Sequence, residues 1–254
     1  MPNWSFNVVH LIGDHETLEK LIPSLATEDN SFDFNTIIKM PEELNDAHPI
    51  RADMIRHQLA YYCQKECLPQ PGCQSSAYRN NAKQIAADAV LAPHENAIEV
   101  YDAGKKWYSR YQKYGYLTWY DWAIDNWGTK WNSYANHGPY WESPNSLVYT
   151  FDTAWTAPLP IIVTLSYQNP SIVVELEVTY ECGEPADKYT FQAGIMLAWQ
   201  EQVGDMYIID PKTGIKYPDW DDVPSSVDAI EDCSWTDREV YDVSAYCKKL
   251  EELV

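Results

Sequence analysis

The chain has 254 residues and a formal net charge of −20, with 18 Lys and Arg against 38 Asp and Glu. Its residues are 45% hydrophobic and 14% aromatic, which excludes the low-hydrophobicity composition of disordered chains. The sequence contains neither an apolar run of the roughly 20 residues that span a bilayer nor a basic leader with an apolar segment. We therefore expect a folded, cytoplasmic protein without a membrane partner.

The first forty residues predict a β-α-β unit. Residues 4–12 alternate so that Phe6 and His10 share an apolar face, which we expect to be buried. Asp14 can cap the helix that follows, and residues 32–40 alternate again as a second strand.

The middle of the chain predicts a helical insertion over residues 46–144. Helical stretches lie near 51–66, 76–91 and 95–114. Cys63, Cys67 and Cys73 follow His57 closely, so a zinc site with three thiolates and one imidazole can be drawn. The spacing is irregular and lacks a C-x-x-C pair, which favours ordinary buried or surface cysteines over a zinc site, so we predict no metal and no cofactor.

The one basic stretch of the sequence runs from Lys105 to Lys113. Its cations interleave with Trp107, Tyr111 and Tyr114, as in proteins that stack single-stranded nucleic acid on aromatic rings. Helical spacing explains the same pattern as a buried aromatic face with the cations outside. We favour that interpretation and expect no direct binding to nucleic acid.

A second β-α-β unit is predicted by alternation over 147–155, an apolar helix over 161–165 and alternation over 174–180. Two such units pair into a four-stranded antiparallel sheet with both helices on one face, the ferredoxin-like arrangement. We therefore predict an α+β protein with a split ferredoxin-like domain, 1–45 and 145–210. Segments 190–199 and 203–210 predict an added hairpin that turns near Gly204.

The remaining segment, 211–254, predicts an acidic C-terminal extension. Residues 219–254 contain eleven acids and three bases. The polar face of the predicted sheet would also be acidic, which argues against RNA recognition there. Its acids are expected to be Asp33, Asp152, Glu175 and Glu177.

Four phrases of the sequence, MPNWSFNVVHLIGD, FDFNTIIKMPEEL, YDWAIDNWGTKW and TFDTAW, resemble the YubB-type or Api-type proteins of phages and plasmids. They span roughly residues 1–45 and 117–210. The resemblance implies a ferredoxin-like domain and a mobile-element origin. It implies no established chemistry, but it makes a role in countering host defence plausible.

Six tryptophans lie close together between Trp119 and Trp155. Core packing is the favoured interpretation, because each large aromatic side chain buries about 150–250 Å². The alternative is a ligand pocket between the insertion and the sheet. That pocket would be lined by Trp122, Asn126, Trp127, Lys130, Trp131, Asp152 and Trp155.

No catalytic motif is present, so we predict that the protein is not an enzyme. The sequence contains no G-x-S-x-G, G-x-G-x-x-G, P-loop or H-E-x-x-H pattern.

The favoured hypothesis is an acidic phage or plasmid protein that inhibits a host protein acting on nucleic acid. Its carboxylates would occupy a basic surface that normally takes phosphates, in the manner of anti-restriction and anti-CRISPR factors. The alternative is a protein that binds a nucleotide or another small ligand in the Trp-rich crevice. The predicted partner-binding residues are Asp219, Asp221, Asp222, Asp228, Glu231 and Asp232.

Overall fold

The computed structural model describes residues 3–45, 97–116, 118–181, 186–217 and 220–246. The chain divides into two compact units, Met1–Lys39 with Ile124–Val254, and Met40–Ala123. The helices predicted near 51–66 and 76–91 lie outside the described residues.

In the described part of the first unit, eight strands form one antiparallel sheet in the order β2-β3-β1-β4-β5-β6-β7, and β8 also pairs with β6. The strands are β1 (Trp4–Ile12), β2 (Tyr134–Ser143), β3 (Ser146–Ala154), β4 (Val173–Tyr180), β5 (Asp187–Gln192), β6 (Ile195–Ile209), β7 (Lys216–Tyr217) and β8 (Ile230–Asp237). The prediction of an α+β protein with an antiparallel sheet is confirmed.

The described helices are α1 (His15–Leu25), α2 (Phe34–Ile37), α3 (Ala97–Tyr114), α4 (Trp119–Trp127) and α5 (Leu159–Gln168), with short 3-10 helices at Glu42–Leu44 and Trp220–Asp222. The predicted cap of α1 is confirmed, because the Asp14 carboxylate accepts a hydrogen bond from the Thr17 amide at 3.0 Å. In the first unit α2 packs against both α1 and α5.

The strand predicted over residues 32–40 is wrong, because this segment contains the short helix α2. Asp33 accepts a hydrogen bond from the Asn35 amide at 2.8 Å and so caps the helix. Phe32 and Phe34 are both fully buried, although their alternation predicted a strand. The Phe32 ring stacks on Phe151 of β3 with the centroids 4.9 Å apart. The segment therefore lies over the buried face of the sheet, and the sequence-predicted position of Asp33 on the polar sheet face is also wrong.

The buried face of β1 is opposite to the one that the sequence predicted. Val9 and Leu11 are fully buried, whereas Phe6 is 46% exposed. Two polar residues share the buried face, and the Asn7 side-chain amide donates to the Thr153 hydroxyl at 2.9 Å. That hydrogen bond offsets the cost of burying polar groups, so the less apolar face of β1 can face the core.

The predicted hairpin turns at Ala193 and Gly194 rather than near Gly204. Both turn residues have positive φ, of 50° and 77°, which suits the two-residue turn between β5 and β6. Gly204, with φ 75°, lies inside β6, where the register against β8 shifts between Val203 and Tyr207. The glycine therefore accommodates an irregularity within the strand.

Two further strands come from segments that the sequence assigned to other regions. Residues 134–143, predicted within the insertion, form the edge strand β2 and pair with β3. Residues 230–237, predicted within the acidic extension, form β8 and pair with β6.

Candidate partner-binding surface

One face of the sheet carries exposed aromatic and acidic side chains. Residues that are directly opposite in an antiparallel sheet point to the same side, so the strand register fixes the members of this face. We call it the open face, defined by Trp4, Phe6, Val8 and His10 of β1, Tyr134, His137 and Tyr140 of β2, Val148, Thr150 and Asp152 of β3, Glu175, Glu177 and Thr179 of β4, and Lys188 of β5.

The open face presents three carboxylates. Asp152, Glu175 and Glu177 lie there as the sequence predicted. The Lys188 ammonium is engaged on the same face, 3.2 Å from a Glu177 oxygen and 4.1 Å from the centre of the Trp235 ring. The surface therefore favours a cationic ligand over a phosphate backbone.

Three neighbouring strands place an aromatic residue, a carboxylate and a second aromatic residue side by side. Phe6 of β1 is directly opposite Asp152 of β3, and Asp152 is directly opposite Tyr134 of β2. We call these three residues the Asp152 row. Phe6 is 46% exposed and Tyr134 is 61% exposed, so both rings are accessible. Strands are about 4.8 Å apart, which places the two aromatic residues about 9.6 Å apart across the carboxylate.

The Asp152 carboxylate is half-buried, and it makes no hydrogen bond or salt bridge with the residues that the structure describes. Burial raises its pKa, and the nearby His137 partly opposes that shift. A partly desolvated carboxylate without a donor gains free energy from a hydrogen-bonding cation.

The end of the open face beside Trp4 already holds a cation against aromatic rings. Trp4 stacks on Tyr134 with the ring centroids 5.3 Å apart. The Lys130 ammonium lies 4.3 Å from the centre of the Trp131 ring and 5.3 Å from that of Trp155. One of the protein's own lysines is therefore bound to two exposed tryptophans through cation–π contacts.

The residues of the predicted Trp-rich pocket fall into separate environments. Trp122, Asn126 and Trp127 are buried. Lys130, Trp131 and Trp155 meet at the surface, and Asp152 belongs to the open face. The pocket itself stays a prediction.

A shallow depression of about 440 Å³ lies elsewhere in the first unit. Its lining includes Asp125, Gly128, Thr156, Pro160 and Tyr246. The lining combines the polar side chains of Asp125, Thr156 and Tyr246 with apolar groups and contains no tryptophan.

The described acids of the predicted partner-binding set lie in the C-terminal part of the first unit. Asp221 and Asp222 are exposed in the second 3-10 helix, and Asp228 is exposed with Lys212 3.4 Å away. Glu231 and Asp232 belong to β8, whereas Asp219 lies outside the described residues.

The basic stretch lies on α3 in the second unit. Trp107 is buried as predicted, but Tyr111 is 49% exposed, so the prediction of a continuous buried aromatic face is wrong there. Arg110 is buried rather than outside, and its guanidinium packs over Trp107 at 4.8 Å. Arg110 can be buried because its aliphatic stem packs in the interior and its guanidinium makes a cation–π contact.

Within the described ranges, no three His, Cys, Asp or Glu side chains come together as a possible metal site. His57, Cys63, Cys67 and Cys73 lie outside those ranges. Among the described helices, none has the length and hydropathy required to cross a membrane.

No family model and no curated protein matches this sequence. A solved structure, that of the protein api92 from Yersinia pseudotuberculosis with the family model DUF1281, is similar over 81% of this chain and 99% of that chain. The TM-score is 0.43 and the sequence identity 11%.

Sequence patterns alone did not identify Phe6 and Tyr134 as candidate site residues. Phe6 was assigned to a buried face, and Tyr134 to the helical insertion. Asp152 was identified, but as a member of a different pocket. The signal that could have located Phe6 was the second apolar set on β1, Val9 and Leu11, which shows that either face could be the core.

Proposed function

We propose that this protein is a cytoplasmic, phage- or plasmid-encoded binding protein that inhibits a host defence protein acting on nucleic acid. The observation that carries the proposal is the exposed combination of carboxylates and aromatic rings on the open face. Such a surface can cover Lys and Arg side chains that would otherwise contact phosphates.

The proposed inhibition is competitive. Asp152 and Glu175 provide negative charge from a sheet, so they are held at fixed positions relative to one another, and Glu177 beside them is paired with Lys188. Asp221, Asp222 and Asp228 add exposed charge in the C-terminal part. A net charge of −20 increases the rate of encounter with a basic partner.

The proposed scaffold is a ferredoxin-like core. Chain order β1-α1-β2-β3-α5-β4 and sheet order β2-β3-β1-β4 agree with that arrangement. The residues between α1 and β2 would then form the insertion, and β5 to β8 would extend the sheet beyond β4.

The partner can be identified by affinity purification of the tagged full chain from a bacterial lysate, followed by mass spectrometry. The purified partner is then mixed with the protein and a duplex oligonucleotide at two salt concentrations. The Debye length is about 10 Å at about 0.1 M salt and about 3 Å at about 1 M salt, so the higher concentration screens charge interactions more strongly. We expect mutually exclusive binding of protein and oligonucleotide, and weaker binding of the protein at high salt. Simultaneous binding, or an affinity independent of salt, would contradict the proposal.

A separate measurement addresses the small-ligand alternative. Melting temperatures are compared with and without a panel of nucleotides and metabolites. A specific stabilisation by one compound would favour the alternative, because a ligand that binds the native state raises its stability.

A further inference from the structure

We infer that the Asp152 row receives a single arginine side chain of the basic partner, with the guanidinium hydrogen-bonded to Asp152 and flanked by Phe6 and Tyr134. This inference rests on the proposed function and names the contact at its centre. The juxtaposition that supports it is a half-buried carboxylate between two exposed aromatic residues on adjacent strands.

The chemistry of the row favours arginine over other ligands. A guanidinium can donate two parallel hydrogen bonds to one carboxylate while its flat faces contact aromatic rings. A nucleobase could also stack on Phe6 or Tyr134, but its phosphates would meet Asp152, Glu175 and Glu177 on the same face. A lysine ammonium would gain the charge interaction without the planar contact.

The row also has the surroundings of a binding hot spot. Trp4 stacks on Tyr134 with the ring centroids 5.3 Å apart and limits the movement of that ring. Lys188 is held by Glu177 at 3.2 Å, so that cation is already neutralised. A rigid aromatic pair around one charge-bearing group is typical of residues that dominate an interface.

The binding experiment uses the full-length protein and two fluorescent peptides, one of alternating Arg and Gly and one of alternating Lys and Gly, at about 0.15 M salt. The Arg peptide should bind more tightly than the Lys peptide. Asp152→Asn should lower the affinity for the Arg peptide about tenfold, because the substitution removes the charge-assisted hydrogen bonds. Glu19→Gln, which removes one charge from the exposed side of α1, should alter affinity less than about twofold, as expected for one exposed, screened charge outside the row.

The aromatic contribution has its own matched pair. Tyr134→Ala should lower the affinity for the Arg peptide severalfold. Tyr167→Ala, on the exposed side of α5, should leave that affinity unchanged. Phe6→Leu keeps apolar bulk but removes the π face, so it should reduce the preference for Arg over Lys while retaining the fold. Circular dichroism of each variant separates a loss of contact from a loss of structure.

Two results would overturn the inference. One is equal effects of Asp152→Asn and Glu19→Gln in folded protein. The other is tight binding of an RNA oligonucleotide that Phe6→Leu abolishes, which would identify a base-stacking surface instead. If the row variants have no effect while partner and oligonucleotide still compete, the arginine contact is wrong and the proposed function stands. If no competition occurs but the row still selects Arg peptides, the proposed function fails and the contact stands.

Discussion

Trp127 and Trp131 belong to the same short sequence, NWGTKW, but the structure predicts very different effects when each is replaced by alanine. Trp127 is 4% exposed, and its ring contacts Phe34 edge-on with centroids 5.8 Å apart. Its indole N–H donates to the Ile38 carbonyl at 2.9 Å. Trp131 is 37% exposed and contacts Trp4 with the ring centroids 6.1 Å apart.

The expected magnitudes follow from those contacts. Trp127→Ala leaves a large cavity and should cost about 3–5 kcal/mol of unfolding free energy. For a domain of this size that corresponds to a melting temperature lower by about 6–20 °C. Trp131→Ala loses one aromatic contact and the cation–π contact with Lys130, together about 1–2 kcal/mol.

Thermal and denaturant unfolding of both variants measure this difference. Trp127→Phe adds a control, because it keeps a ring beside Phe34 and removes the donor to the Ile38 carbonyl, at a cost of about 1–3 kcal/mol. Equal destabilisation by Trp127→Ala and Trp131→Ala would refute the assignment of one to the core and the other to the surface.

Three further predictions concern single positions. Gly128→Ala should lower the melting temperature, because Gly128 has φ 78° and an added Cβ would lie 2.7 Å from Cδ of Pro160; native stability of this variant would contradict that geometry. The pKa of the Glu43 carboxyl is lowered to about 2 by hydrogen bonds from Tyr114 and Lys113, so in an NMR titration Tyr114→Phe should raise it towards 4.5, and the pair's contribution to stability should be present above pH 4.5 and lost as pH falls towards 2. Burial raises the pKa of the Asp152 carboxyl, so its ionisation disfavours folding; Asp152→Asn should therefore stabilise the protein more at pH 7 than at pH 3 in denaturant titrations, and an opposite trend would show a favourable partner for the charge.

Local signals in the sequence predicted several elements correctly. The Asp14 cap and the apolar spacing after it define α1, and β3, α5 and β4 follow from alternation and a short apolar run. Gly128 directly follows the last residue of α4 and has φ 78°, the conformation in which glycine commonly ends a helix. These features depend on residues close together in the chain.

The elements that the sequence did not predict depend on contacts between distant segments. The buried face of β1 contains Asn7, and the sequence alone favours exposure of this polar residue. Its burial depends on a hydrogen bond to Thr153, which lies far away in the sequence. Helix α2 depends on Asn132, which donates to Asp33 at 2.7 Å and accepts from the Phe34 amide at 2.8 Å. Such pairings cannot be read from periodicity.

The candidate site was hidden for the same reason. Phe6, Asp152 and Tyr134 come from three strands, and only the register of β1, β3 and β2 brings them side by side. A single exposed phenylalanine on a strand is indistinguishable by pattern from a core residue. The sequence therefore predicted an acidic binding protein, but it predicted the binding residues among the C-terminal acids rather than on the sheet.

The proposed function requires the open face to contact a basic nucleic-acid-binding surface of the partner. Site-specific photocrosslinking detects this contact, with a benzophenone amino acid placed at Tyr140 of the open face in one sample and at Tyr167 of α5 in the other. We expect crosslinks from Tyr140 alone, to partner peptides that bind nucleic acid, and their loss when a competing oligonucleotide is added. Crosslinks from Tyr167 alone, or crosslinks from Tyr140 that an oligonucleotide leaves unchanged, would contradict the proposed function.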